Sequence, residues 1–172
     1  MTNHNQTRPF ASLDTSLGCP YRCSFCCINA PFVKHTFRYW SPEHIIKEFD
    51  VLHKMGIKNI KIADEMFVLN KKHFLKICEL IIERGYDFNI WAYSRIDTVK
   101  EEYLETLKKA GVNWLALGIE SGNKKVRLEV TKGKFTEVDI HDIVKKIQEH
   151  GISVVGNFIF GLPNDTLETM QE

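Results

Sequence analysis

Five apolar runs, at residues 10–16, 57–63, 88–93, 112–119 and 152–160, alternate with amphipathic stretches that end on a glycine. The runs have the length of buried strands, and the stretches between them have helical period. Ser41-Pro42 reads as an N-cap followed by proline at the first helical position. Ile45, Phe49 and Leu52 then share one face, and Gly56 ends the helix. Asn70 can cap a second helix, where Phe74, Ile77, Cys78 and Ile81 follow the i, i+3, i+4, i+7 pattern up to Gly85. Thr98 and Glu101 have the spacing of a capping box, ahead of Tyr103, Leu104, Leu107 and a stop at Gly111. Thr136 opens the last of these helices, which carries Ile140, Ile143, Val144 and Ile147 to Gly151. Strands alternating with helices predict an α/β fold with parallel pairing and right-handed crossovers. Such a sheet can close as a barrel or stay open and doubly wound, and the spacing suits both.

At 172 residues, 44% hydrophobic and 26% charged, the chain can bury one core. A net charge of +1 makes no electrostatic case for a nucleic acid or a membrane surface as partner. No apolar run reaches the length of a membrane span, and the first residues have neither part of a signal peptide. Five cysteines, an odd count, do not suggest a secreted disulfide scaffold, so the expected compartment is a reducing cytoplasm.

Three of those cysteines, Cys19, Cys23 and Cys26, fall in one loop directly after the first strand, spaced C-x₃-C-x-aromatic-C with Phe25 before the third. Iron–sulfur clusters are held by thiolates, and a cubane takes four. Three close thiolates can hold a 4Fe–4S cluster and leave one iron open to a ligand. A structural zinc site competes, but it closes with four ligands, usually as two pairs. No second pair follows here, Cys27 adjoins Cys26, and His35 sits at an unusual spacing. A Cys23–Cys26 dithiol would leave Cys19 unexplained. Cys78 reads as a small buried hydrophobe, and Cys27 as either packing or a spare thiol.

Polar groups recur just beyond the strands, where parallel α/β barrels place their chemistry. Asp64 and Glu65 follow the second strand, Ser94 and Arg95 the third, and Glu120, Ser121 and Gly122 the fourth. Asn157 interrupts the apolar fifth strand ahead of Gly161-Leu162-Pro163. Singly, each has an ordinary explanation as a cap, a turn or a surface ion pair; together they put a carboxylate, a guanidinium and amides on one face.

From Ser16 to Pro163 the chain resembles the radical S-adenosylmethionine (SAM) enzymes, whose signature is the spacing of Cys19, Cys23 and Cys26 with the aromatic Phe25. The resemblance implies a partial (β/α)₆ TIM-like barrel. Against that pattern only five strands are present, and residues 165–170 look like the start of a new helix, so the sequence reads as one core domain cut short at its C-terminal end. It implies a 4Fe–4S cluster on the three cysteines and SAM on its open iron. Reductive cleavage to a 5′-deoxyadenosyl radical would follow, with hydrogen abstraction from a small-molecule or peptide substrate and an electron donor such as flavodoxin or ferredoxin. Asp64-Glu65 occupies the place of the family's Gly-Gly-Glu segment, which holds the SAM ammonium. Arg95, with Ser94, would take the carboxylate through a bidentate fork. Glu120 would accept from the ribose hydroxyls, and the strand carrying Asn157 would pack on adenine with Phe25 across from it. Tyr39-Trp40-Ser41-Pro42-Glu43 and Asn89-Ile90-Trp91-Ala92-Tyr93-Ser94-Arg95 resemble the branch that often carries a cobalamin domain. No Asp-x-His-x-x-Gly cobalamin signature is present, so cobalamin is not supported within this chain. The alternative from another class is a non-catalytic α/β module stabilised by zinc on the cysteines.

Overall fold

The computed structural model describes residues 9–28, 30–32, 35–133, 135 and 139–172. Among these described residues, seven strands and five α-helices run in the order β1 (Phe10–Leu13), β2 (Ser16–Leu17), β3 (Arg38–Tyr39), α1 (Pro42–Lys54), β4 (Asn59–Ile62), α2 (Lys71–Glu83), β5 (Asn89–Arg95), α3 (Glu101–Lys109), β6 (Val112–Glu120), α4 (Lys124–Val130), α5 (Ile140–Glu149) and β7 (Ser153–Phe158). β1, β4, β5, β6 and β7 form one five-stranded sheet in that order, parallel throughout. This is the sheet of a partial TIM-like barrel, and it does not close.

The alternation of side chains along parallel strands separates two faces. Ile60, Ile62, Ile90, Ala92, Leu115 and Leu117 point to one side and are buried. Phe49, Phe74, Ile77, Ile81, Leu104, Leu107 and Ile147 of the helices complete that core. The register sets the opposite face in layers: Lys61, Trp91, Trp114 and Ser153 lie side by side, then Tyr93, Ala116 and Val155, then Arg95, Gly118 and Asn157. Trp91 and Trp114 stack at 5.8 Å between ring centres, which floors the concave face below its polar top layer.

The helix starts are fixed by side-chain acceptors. Ser41 takes the His44 N–H, with Pro42 at the first helical position, and Asn70 takes the His73 N–H. Gly56, Gly85 and Gly151 end helices with φ near +70°, where a side chain is disfavoured.

Four expectations change. The expected strand at 10–16 stops at Leu13, and Ser16–Leu17 turns away to pair antiparallel with Arg38–Tyr39. No capping box forms at Thr98: α3 starts after Lys100, which gives no side-chain cap, because the Thr98 hydroxyl is engaged with the Arg95 carbonyl at 2.7 Å. Residues 165–170 form turns rather than a helix, held by bonds such as Met170 N–H to the Thr166 carbonyl. The α5 cap is Asp139, which accepts from the Asp142 N–H; Thr136 lies outside the described residues. Among the described residues no helix is long and apolar enough to cross a membrane.

Candidate functional site

The cysteine loop is clamped at its base and buttressed on its flank. The β2–β3 ribbon pairs Ser16 with Tyr39 and Leu17 with Arg38, so the chain leaves after Leu17 and returns before Arg38 at one point. The Cys26 N–H bonds the Cys23 carbonyl at 3.2 Å, and the Ser24 N–H bonds the Val130 carbonyl, at the end of α4, at 2.8 Å. Phe25 packs on a small cluster of Val126, Val130 and Leu162. Helix α4, which the sequence reading did not include, therefore carries the loop. Its start was signalled: Asn123 accepts the Val126 N–H at 3.0 Å.

Cys19, Cys23 and Cys26 line one cavity of about 370 Å³ at the C-terminal ends of the parallel strands. Phe25, Asp64, Glu65, Ser94, Arg95, Glu120 and Asn157 line the same cavity. Cys27 is exposed and Cys78 is buried in the core, its thiol pushed up to about 12 by burial.

The two carboxylates after β4 divide their work. Asp64 is buried, with Oδ1 accepting the Thr15 N–H and Oδ2 accepting the hydroxyls of Thr15 and Ser16, all at 2.6 Å. Both of its oxygens are thus engaged within the chain. Glu65 Oε2 is buried and has no hydrogen-bond partner. A buried acceptor in that condition is costly unless a donor arrives from outside. Burial pushes the Glu65 carboxyl up, and Asp64 pushes in the same direction.

Arg95 is buried at the end of β5 with its fork on Asp97: Nε to Oδ1 and Nη2 to Oδ2, both 2.6 Å. Asp97 therefore takes the Nε–Nη2 edge of the guanidinium. The guanidinium lies 3.9 Å from the centre of the Tyr21 ring and reaches the Cys23 sulfur. Ser94 bonds Thr98 Oγ1 at 2.8 Å; since Thr98 donates its one proton to the Arg95 carbonyl, Ser94 is the donor. Burial pushes the Cys19 and Cys23 thiols up, and the Arg95 charge opposes this at both.

Glu120 ends β6 with φ +71°, a left-handed backbone that non-glycine residues seldom adopt. Its carboxyl is pushed up by burial against the pull of Arg95. It folds back over Gly118, where a Cβ would stand 2.5 Å from Glu120 Oε1. Arg127 supports the turn beyond, donating to the Ser121 and Gly122 carbonyls. The sequence reading passed over Asp97, Tyr21 and Arg127. Only Arg95-Ile96-Asp97 left a trace, opposite charges two residues apart at a strand end.

Three thiols and an orphaned carboxylate oxygen from residues lining one cavity fit a thiolate-held cluster with a cationic ligand beside it. Zinc fits less well, because it draws its sulfurs round one point at about 2.3 Å. Among the described residues no three His, Cys, Asp or Glu side chains are gathered to hold a single ion.

Comparison with known proteins agrees with this geometry. An uncharacterized methyltransferase of Pyrococcus horikoshii is 35% identical over 95% of this chain and 35% of its own length. The anaerobic magnesium-protoporphyrin IX monomethyl ester cyclase of Cereibacter sphaeroides is 31% identical over 90% of this chain and 26% of its own. Among solved structures, the radical SAM methyltransferase TsrM from Kitasatospora setae, with cobalamin and a [4Fe–4S] cluster bound, superposes with a TM-score of 0.80 at 26% identity, over 93% of this chain and 32% of that one. The chain thus spans 35% or less of each of these three proteins. The family model of the Radical SAM superfamily, whose members use a 4Fe–4S cluster and SAM, matches residues 13–172. From its thirteenth residue onward, this chain belongs to the radical SAM superfamily.

Proposed function

We propose that this chain is a radical SAM catalytic core that binds SAM at a cysteine-held cluster and prepares it for reductive cleavage. One observation carries the reading: Cys19, Cys23 and Cys26 share a cavity with the buried, unpartnered Oε2 of Glu65. The three thiolates hold the cluster. When bound and reduced, the cluster supplies the electron that splits SAM into methionine and a 5′-deoxyadenosyl radical. Glu65 accepts from the SAM ammonium, in preference to Asp64, whose oxygens already serve Thr15 and Ser16. Glu120 accepts from the ribose hydroxyls. Asn157, with the backbone of β7, lies along the adenine, and Phe25 bounds the pocket from the loop. Ser94 and Arg95 line the wall near the carboxylate, where Arg95 contributes charge while its Nε–Nη2 edge stays on Asp97. A low-potential one-electron donor, a flavodoxin or a ferredoxin, completes the system in a reducing cytoplasm, and the radical takes hydrogen from a small-molecule or peptide substrate.

The test is anaerobic reconstitution with iron and sulfide, followed by dithionite and SAM. Bound iron with acid-labile sulfide and release of 5′-deoxyadenosine is the expected result. One tightly held zinc with no sulfide would give the cavity to a structural metal instead.

The role of Glu120 has its own test. In Gly118→Ala the new methyl displaces the Glu120 carboxylate, the movable end of a side chain. Stability should stay within about 1 kcal/mol, since alanine also restricts the unfolded chain. The SAM dissociation constant of the reconstituted protein should rise roughly tenfold, about 1.4 kcal/mol. Unchanged affinity would remove Glu120 from the SAM contacts.

A further inference from the structure

Arg95 lies in the candidate site, and the Nε–Nη2 edge of its guanidinium is turned to its own chain. Asp97 holds Nε and Nη2 in one plane at 2.6 Å each, and Tyr21, between Cys19 and Cys23 in sequence, covers a face of the guanidinium at 3.9 Å. The Arg95 and Asp97 side chains are only 5% and 2% exposed. A guanidinium gripped this way has one orientation, and that orientation puts it against the Cys23 sulfur.

We propose that Arg95 is an electrostatic partner of the cysteine-held cluster, stabilising the electron it accepts, and that Asp97 is the positioning residue that aims Arg95. The inference rests on the cluster reading above. The step is a one-electron reduction of the 4Fe–4S centre by a low-potential donor. No bond forms or breaks, and the centre with its thiolates becomes one unit more negative. A fixed cation in a poorly solvated site favours the more negative state, because the field of a buried charge is weakly screened. Glu120 acts the other way on the same ground, since it faces both Cys23 and Arg95. Asp97 offsets part of the Arg95 charge, so the two partners of the ion pair should act on the cluster in opposite senses. A residue serving only to hold the loop in shape would give no such opposition.

The experiment is a redox titration of the reconstituted full chain without SAM, followed by electron paramagnetic resonance. Iron and sulfide content are measured on the same samples. Arg95→Gln should lower the reduced-to-oxidised ratio at a given potential about tenfold, a shift of about 59 mV for one electron. Asp97→Asn keeps one acceptor to hold Arg95 but removes the opposing charge, and should move the midpoint upward. Arg95→Lys keeps the charge without the fork and should stay closer to the wild type than Arg95→Gln does, which guards against reading a misfolded variant as an electrostatic effect. Variants that hold the cluster at the wild-type potential while the SAM dissociation constant alone changes would overturn the inference and leave Arg95 with its SAM role only. A wild-type chain that takes up no cluster would overturn the functional reading and this inference together.

Discussion

Cys23→Ala reconstituted without oxygen should hold almost no cluster, while Cys27→Ala should hold as much as the wild type. The two positions are four residues apart in one loop, so the contrast separates ligation from general damage to the loop. Cys23 is half-buried, lines the cavity and meets the Arg95 guanidinium. Cys27 is exposed, and its carbonyl is what the loop uses, accepting the Ala30 N–H at 2.9 Å. An alanine leaves that backbone bond in place. A cubane that normally takes four thiolates has three here and one iron open to a ligand; with two it loses a second corner to solvent. Iron should fall from about four per chain to near zero, and 5′-deoxyadenosine from added SAM to background. The loop itself should survive, because the β2–β3 ribbon and the Ser24–Val130 bond do not involve the thiol. Thermal unfolding of the two variants, each compared before reconstitution, should therefore coincide. A Cys23→Ala protein with a full complement of iron and sulfide would end the assignment of this thiol as a ligand.

What could be read in advance follows from the range of each interaction. Helices α1, α2 and α5 were legible because Phe49, Phe74, Ile77 and Ile147 recur at helical period and are buried for that reason. Helix α4 was not, because it is two turns long and buries only Val126 and Val130 besides the charged Arg127. The capping box failed on a local competition: Thr98 bonds the Arg95 carbonyl before α3 begins. The first strand was expected to run on through Thr15, but Asp64, 49 residues away, takes the Thr15 N–H. In the site, strand-end position was enough to gather Glu65, Arg95, Glu120 and Asn157 around the cysteines. Which side chains would engage one another was not readable. Arg95 with Asp97 and Asp64 with Thr15 depend on how strand ends and loops come together, and sequence spacing carries no such information.

That same Asp64 gives the largest expected effect on stability. The family's segment at this place is glycine-rich, and here a carboxylate stands in it that is only 1% exposed. A buried carboxylate survives only if its lone pairs are satisfied, and three donors at 2.6 Å do so. The donors are also buried: Thr15 and Ser16 are 0% and 1% exposed. Asp64→Ala leaves a backbone N–H and two hydroxyls without an acceptor, each orphan costing about 1–3 kcal/mol. Hydroxyls can rotate toward other acceptors, so the sum should be on the order of 3–5 kcal/mol in urea unfolding of the apo chain. Asp64→Asn retains one acceptor oxygen and should lose roughly half as much. The consequence extends to the site, because Thr15 and Ser16 lead directly into Leu17, Gly18 and Cys19. With the strut gone, cluster occupancy should fall with stability and recover when the protein is reconstituted at lower temperature, where the folded fraction rises. Glu65→Gln, one residue on, should behave the other way: stability near the wild type, because Oε2 has no partner to lose, and SAM affinity reduced. An Asp64→Ala chain that unfolds within about 1 kcal/mol of the wild type would show that the Thr15 and Ser16 donors find other acceptors, and the division of labour between the two carboxylates would fall with that result.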